Sequence, residues 1–230
     1  VSGLGTLDLR SAISTQAGNG VSGTVLIDPI SMVLHNGTYT GLIGTDSYFS
    51  QDYTLSLLGL NNSVLFFAID TMDVGTDTVA AGVGNGAIDL SHVGPDATNG
   101  NVTFSASNAV NFNKDLTIGN GNVKVLTPTL NLASTIYGLV GGSTAALGDS
   151  RLDSAGLSTI NVRNPNAKIN QAIGFANGGE TINVGAGTYA ESVLVNKSVS
   201  LYGSNVAPIP PNFPGFDVTA NNVTIDGFEI

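Results

Sequence analysis

The stretch Asn166-Ala-Lys-Ile-Asn-Gln-Ala-Ile-Gly-Phe-Ala-Asn-Gly-Gly-Glu-Thr-Ile-Asn-Val-Gly-Ala-Gly-Thr-Tyr-Ala-Glu-Ser-Val-Leu-Val-Asn-Lys-Ser-Val-Ser-Leu-Tyr-Gly203 decides how this chain is read. Ile169, Ala172, Ile173 and Ala176 fall at i, i+3, i+4 and i+7, one apolar stripe on a helix expected over 166–177. Pro165 can open that helix and Gly178 can close it. Beyond the glycines, Ile182/Val184, Val193/Val195 and Val199/Leu201 alternate with polar residues at period two. Turn residues (Gly185, Gly187, Asn196, Gly203) keep each of these strands short. A small sheet or barrel shares that pattern. Aliphatic-in, polar-out units repeating behind a helix that covers one end favour a chain wound as a coil of rungs.

The same blocks resemble the opening of a right-handed parallel β-helix of the pectate-lyase-like superfamily. They run Ile169 to Ala176, Gly179 to Val184, Gly187 to Val193 and Asn196 to Gly203, in that order. The resemblance covers under a third of the chain. It implies a fold more than an activity, because lyases, hydrolases, adhesins and inert fibres share that architecture. The expected fold class is therefore all-β: a right-handed parallel β-helix, or solenoid, with one short capping α-helix.

Working back toward the N-terminus, strands are expected at Val64–Ile69, Met72–Val74, Ala87–Leu90, Val102–Ser105, Val110–Phe112, Leu116–Ile118 and Val123–Val125. Asn-Gly and Gly-Asn-Gly turns punctuate them at roughly ten-residue intervals, a spacing that a sandwich or Greek-key barrel also permits. Pro29 fits a corner between faces better than a central ladder. Ser50 to Leu58 reads as a short helix or a loop. Leu7-Asp-Leu-Arg, Gly18 to Pro29, Leu55-Ser-Leu-Leu and Asn62 to Ala68 together resemble a segment of filamentous-haemagglutinin-like exoproteins of Gram-negative bacteria. Those are exported by two-partner secretion. Their secretion-domain signature is not matched: Asn164-Pro-Asn166 shares only a tripeptide, which helix capping explains. An interior fragment is implied, and Ile225, Phe228 and Ile230 read as a rung cut short.

Three segments follow. Residues 1–135 are a β-rich, solenoid-like segment. Residues 136–163, with Gly138, Gly141, Gly142, Ala145 and Ala146, are the least structured stretch and a connecting segment. Residues 164–230 are the helix and first rungs, the helix acting as a lid over exposed ladder and interior. A lid in mid-chain means two modules, or one continuous coil interrupted. A rung of about twenty residues is plausible, and no Ca²⁺-loading nonapeptide repeat occurs.

Composition agrees with a secreted β-protein. The 230 residues include 30 Gly and no Cys or Trp, and only 10% are charged. Stability must then come from burial and backbone ladders without disulfides. A formal charge of −10 argues against nucleic acid or anionic membrane as partner. No signal peptide is visible at Val1-Ser-Gly-Leu-Gly, and Val64 to Ile69 is too short an apolar run to span a bilayer.

Catalytic material is sparse. His35 and His92 both adjoin turn residues and are expected to be exposed there. Without Cys, thiol catalysis and Cys-ligated zinc are excluded. Gly18 to Gly23 satisfies Gly-x-Gly-x-x-Gly, but a strand follows where dinucleotide binding needs a helix. Glu180 and Glu191 would have to face each other across a sugar to act as an acid/base pair; the fold motif accounts for both as turn residues. Asp70, Asp73 and Asp77 offer oxygens for a weak Ca²⁺ site or are solvated turn residues. From Ile182 to Ile230 the only cation is Lys197, so the lyase constellation of acids with a basic Arg or Lys is lacking there. Tyr39, Tyr48, Phe49, Tyr53, Phe66 and Phe67 form an aromatic zone, the Phe66/Phe67 pair expected in the core and the tyrosines in core or surface.

These readings converge on a non-enzymatic structural or adhesive segment of a secreted or cell-surface exoprotein. They imply no cofactor, no metal and no catalytic residue. End-to-end self-association and a glycan or cell-surface receptor are the expected partners. The alternative is a polysaccharide-binding or polysaccharide-cleaving module on the same fold.

Overall fold

A computed structural model describes residues 24–58, 63–78, 80–91, 101–140, 143–208 and 215–229. The protein is β-rich and its strands pair mainly in parallel. The described chain begins with β1 (Thr24–Ile27) and β2 (Met32–His35), followed by β3 (Gly41–Ile43), antiparallel to β4 (Asp46–Ser50), and helix α1 (Gln51–Leu58). The aromatic-rich stretch after Ser50 is therefore a helix. Pro29 sits between β1 and β2, where its missing N–H costs nothing, and its carbonyl accepts the N–H of Ile69 at 3.1 Å.

Strands then recur in threes. The first set is β5 (Ser63–Ala68), β6 (Thr71–Val74) and β7 (Ile88–Leu90). The second is β8 (Val102–Ala106), β9 (Ala109–Phe112) and β10 (Leu116–Ile118). The third is β11 (Val123–Leu126), β12 (Thr129–Leu132) and β13 (Ile136–Val140). Like members pair in parallel, so β1, β5, β8 and β11 lie in a first sheet, β2, β6, β9 and β12 in a second, and β7, β10 and β13 in a third. All seven strands expected between Val64 and Val125 are present, with ends displaced by at most a residue.

Residues 136–163, expected as a connecting segment, instead carry four strands. β13 turns back antiparallel into β14 (Ser143–Ala146), and after one 3-10 turn β15 (Leu152–Ala155) and β16 (Thr159–Val162) extend the first and second sheets. Gly138, one of the small residues that made this stretch look unstructured, sits where the chain approaches closely. A Cβ on Gly138 would lie 2.4 Å from Leu147 Cδ2 and 2.6 Å from Arg151 Nη1.

Helix α2 (Ile169–Phe175) follows, shorter at both ends than the expected 166–177. All four residues of its stripe, Ile169, Ala172, Ile173 and Ala176, are buried. The helix packs against β15 and β16, and then β17 (Thr181–Val184), β18 (Gly187–Tyr189), β19 (Val193–Val195), β20 (Ser200–Pro208), β21 (Phe216–Val218) and β22 (Thr224–Phe228) complete the described chain. The second sheet does not stop at the helix. β16 pairs in register with β17, Ile160 opposite Ile182, and β17 pairs with β20, Ile182 opposite Leu201. The helix also meets β19, and all its residues except Asn170 are buried, so strands enclose it.

Alternation along each strand puts the aliphatic residues inside. Leu130, Leu132, Ile160, Ile182 and Leu201 are fully buried. Phe66 stacks on Phe104 with ring centres 5.8 Å apart, Phe104 meets Phe112 edge-on at 5.4 Å, and Phe112 stacks on Phe175 of α2 at 6.5 Å. Phe66 thus belongs to the core as expected. Phe67, one residue on and therefore on the opposite face of the strand, is only half-buried.

Candidate functional site

The turns that leave the second sheet stack into one column, and there the chain opens a groove of about 840 Å³. Lys114, Arg163 and Lys168 line it, three of the seven cations in a strongly acidic protein. Asp77 and Asp115 share the lining. Lys114 Nζ pairs with Asp77 Oδ1 at 2.5 Å, an exposed contact of little energetic worth. Asp115 is held by its own fold, Oδ1 accepting the Thr135 N–H at 2.9 Å. Arg163 is exposed and its side chain makes no hydrogen bond or ion pair among the described residues. The wall is shaped by Asn164-Pro165-Asn166. Asn164 Oδ1 accepts the Asn166 N–H at 2.9 Å, an Asx turn, so this tripeptide bends the chain ahead of the helix and does not cap it.

Glu180 and Glu191 bracket α2. Glu191 Oε1 accepts the Ile169 N–H at 2.8 Å and Oε2 the Asn170 N–H at 3.1 Å, two donors that the first helical turn leaves open. Glu180, buried, accepts the N–H groups of Asn177 (2.9 Å) and Gly178 (2.7 Å) where the chain leaves the helix. All four carboxylate oxygens are thus engaged by main-chain amides, which assigns both residues to the helix ends. Burial pushes the Glu191 carboxyl above its usual range, against the pull of the Ile169 and Asn170 amides and of Lys168. Burial, helped by the Glu191 charge, pushes the neighbouring Tyr189 phenol up to about 12. Its hydroxyl donates to the Gly185 carbonyl at 3.0 Å.

Lys197 also works for the helix. Its ammonium donates to the Gly174 carbonyl in the last turn and to Asp149 Oδ1, both at 2.6 Å, a cation placed where the helix dipole is negative. Arg151 plays a similar part without any carboxylate. Nε donates to the Gly121 carbonyl (2.9 Å), Nη1 to Leu139 (3.1 Å) and Nη2 to Gly119 (2.6 Å), clamping the β13–β14 corner to the turn after β10. Burial lowers its pKa from a value so high that the charge is retained.

The three aspartates considered for Ca²⁺ do not converge on a cation; each has a donor of its own from the next set of strands. Asp70 accepts from Asn108 (3.3 Å), Asp73 from Asn111 (2.8 Å) and Asn113 (3.1 Å), and Asp77 from Lys114. Among the described residues no cluster of three or more His, Asp or Glu is placed to hold a metal ion.

Asp73 starts a ladder that went unread in the sequence. Asn131 Nδ2 donates to Asn111 Oδ1 (2.7 Å), Asn161 to Asn131 (2.8 Å) and Asn183 to Asn161 (2.9 Å), each amide directly above the last in the parallel register. The signal available was Thr-x-Asn, present at Thr129, Thr159 and Thr181, but Ala109 replaces Thr before Asn111 and the four asparagines lie 20, 30 and 22 residues apart, too uneven to count as a repeat.

His35, expected to be exposed in a turn, is fully buried at the end of β2. Nδ1 accepts the N–H groups of Gly37 (3.0 Å) and Gly84 (3.3 Å), which leaves Nε2–H to donate to the Tyr39 carbonyl (2.8 Å). The imidazole is a neutral fastener for two glycine turns, and burial lowers its pKa. Tyr48 and Phe49 are buried too, while Tyr39 and Tyr53 are half-exposed. His92, the Gly18–Gly23 motif and the segment from Leu7 lie outside the described residues.

No protein-family model matches the chain, and no similar curated protein or solved structure is found. No helix among the described residues is long and apolar enough to cross a membrane.

Proposed function

We propose that this chain is a length of right-handed parallel β-helix, a structural and adhesive segment of a large secreted or cell-surface exoprotein of a Gram-negative bacterium. It is not an enzyme in this reading. The observation that carries it is the uninterrupted pairing of β12, β16, β17 and β20 past the enclosed helix. One backbone ladder running through both parts of the chain makes a rod stiff along its axis. The polar residues that would serve a lyase are spent on that rod: Glu180, Glu191 and Lys197 fasten α2, and Asp73 anchors the amide ladder. The family resemblance of residues 166–203 supports the same architecture. End-to-end association, each open ladder edge pairing with the next copy, is the self-interaction this predicts.

Negative-stain electron microscopy across a concentration series tests it. Rods of uniform width that lengthen with concentration are expected. Compact particles of constant size would defeat the filament.

A second reading rests on the groove that holds Lys114, Arg163 and Lys168. Three cations gathered in an acidic chain suit a polysaccharide-binding or polysaccharide-cleaving module. Uronate release from oligogalacturonate and alginate, with and without EDTA, separates the two: release favours the enzyme, and none favours the stalk.

A further inference from the structure

The outer face of the second sheet carries two straight rows of uncharged polar side chains. Thr129, Thr159, Thr181, Ser200 and Thr224 stand opposite one another on successive parallel strands. Two residues further along the same strands, Asn111, Asn131, Asn161 and Asn183 form the second row. Both rows point away from the core, since the residues between them (Leu130, Ile160, Ile182, Leu201) are fully buried. No register shift interrupts the pairing from Ala109 to Tyr202. The Thr row has one gap, at Ala109, before it resumes at Thr71.

We propose that this face binds the ordered water lattice of an ice surface. Neighbouring strands set hydroxyls and amides about 4.8 Å apart along each row, and two residues of parallel strand set the rows about 6.6 Å apart. The prism plane of hexagonal ice repeats its oxygens in two perpendicular directions at spacings close to these. Sheets ordinarily twist out of such a match, and side-chain ladders are what hold them flat. The Asn ladder is such a device: Asn111, Asn131 and Asn161 each donate one N–H and accept one, and Asn183 at the exposed end donates one and keeps its oxygen free of the ladder. Holding the amides in place before binding removes the ordering cost that loose polar side chains would incur. Threonine adds a methyl beside each hydroxyl, so the row can order water around carbon as well as bond it.

The chemistry disfavours other ligands. Between Asp73 and Asp226 neither row carries a charge, so a polyanion finds cations only beyond the rows, in the groove with Arg163. The only aromatic residue in the rows is Tyr202, at one end, so there is no platform on which sugar rings could stack. The inference goes beyond the stalk reading and does not depend on it, since a monomer presents the same face.

The test is ice partition of the purified, fluorescently labelled protein during slow growth of a polycrystalline ice hemisphere, with inhibition of ice recrystallisation as a second readout. The wild-type chain is expected to enter the ice and to restrain recrystallisation. Thr159→Tyr and Thr181→Tyr, which raise a bulky ring above the face, should each weaken both effects by about tenfold or more. Thr103→Tyr, outward on the first sheet, should not. Circular dichroism confirms that each variant is folded, and having two substitutions on one row keeps the test intact if either misfolds. Exclusion of the wild-type chain from ice would overturn the proposal, as would undiminished partition of both variants. Retention on crystalline chitin or cellulose without entry into ice would overturn it in favour of a glycan lattice.

Discussion

Glu191 closes the N-terminus of a helix that begins 22 residues before it, its Oε1 accepting the Ile169 N–H at 2.8 Å. Lys168, the residue at the N-cap position itself, contributes no side-chain cap. The helix therefore starts where a later turn of chain supplies an acceptor, not where local sequence signals one. Glu191→Ala leaves two helix N–H groups without a partner and is expected to cost about 1–3 kcal/mol. Burial raises the Glu191 pKa above the usual carboxylate range, so the folded chain holds this proton more tightly than the unfolded chain does. The contribution of this group to stability thus declines as pH rises from the unfolded pKa through the folded one. Urea titrations between about pH 4 and about pH 7 should show the stability difference between wild type and Glu191→Gln shrinking as pH rises.

The Asn ladder predicts unequal costs for the same substitution. Asn131→Ala removes two hydrogen bonds from a side chain that is 7% exposed, whereas Asn183→Ala removes one from an exposed end. The first is expected to destabilise by about 1–3 kcal/mol and the second by about 1 kcal/mol or less. Asn131→Asp should cost at least as much as Asn131→Ala, because a carboxylate cannot donate to Asn111 and places charge among carbonyl oxygens. Equal denaturation midpoints for Asn131→Ala and Asn183→Ala would dissolve the ladder as an energetic unit.

What the sequence showed and what it hid divide along local and non-local lines. The strands from Val64 to Val125 and the buried stripe of α2 were legible because period two and period 3.6 are written in neighbouring residues. The groove was not, since Asp77, Lys114, Thr135 and Arg163 meet only when the turns stack. The strands of 136–163 were missed because Gly138, Ala145 and Ala146 carry weak β-propensity, and Gly138 stands where there is no room for a side chain. His35 read as a surface turn because the partners that bury it include Gly84, 49 residues away.

Arg151 and Gly138 make one joint. The guanidinium bonds the carbonyls of Gly119, Gly121 and Leu139 beside a Gly138 that has no room for a Cβ. Gly138→Ala must push Leu147 or Arg151 aside and is expected to cost about 1–3 kcal/mol. Arg151→Lys keeps the charge but cannot reach three carbonyls from one fork, so a similar loss is expected. If the clamp is real, the double variant loses much less than the sum of the two in a double-mutant cycle of urea midpoints.

His35 supplies the protein's clearest acid dependence. Its Nδ1 already accepts two main-chain N–H groups, from Gly37 and Gly84, so a proton arriving there would face both donors. Burial lowers the pKa below that of an ordinary imidazole, with the Tyr39 carbonyl acting in the opposite direction. Above the unfolded pKa the imidazole is neutral in both states and its share of stability is intact. As pH falls through the unfolded pKa, the unfolded chain takes up a proton that the folded chain refuses, and stability declines until the lowered folded pKa is reached. His35→Gln does not titrate at this position, so it should be less stable than wild type at neutral pH, and the difference between the two should shrink over the same interval. Urea midpoints at about pH 7.5 and about pH 5 check the slope. Amide exchange at Gly84 checks the cause, because protonating Nδ1 must release that N–H first. A midpoint difference between wild type and His35→Gln that is unchanged between the two pH values, with Gly84 still protected, would mean that His35 does not hold the two glycine turns together.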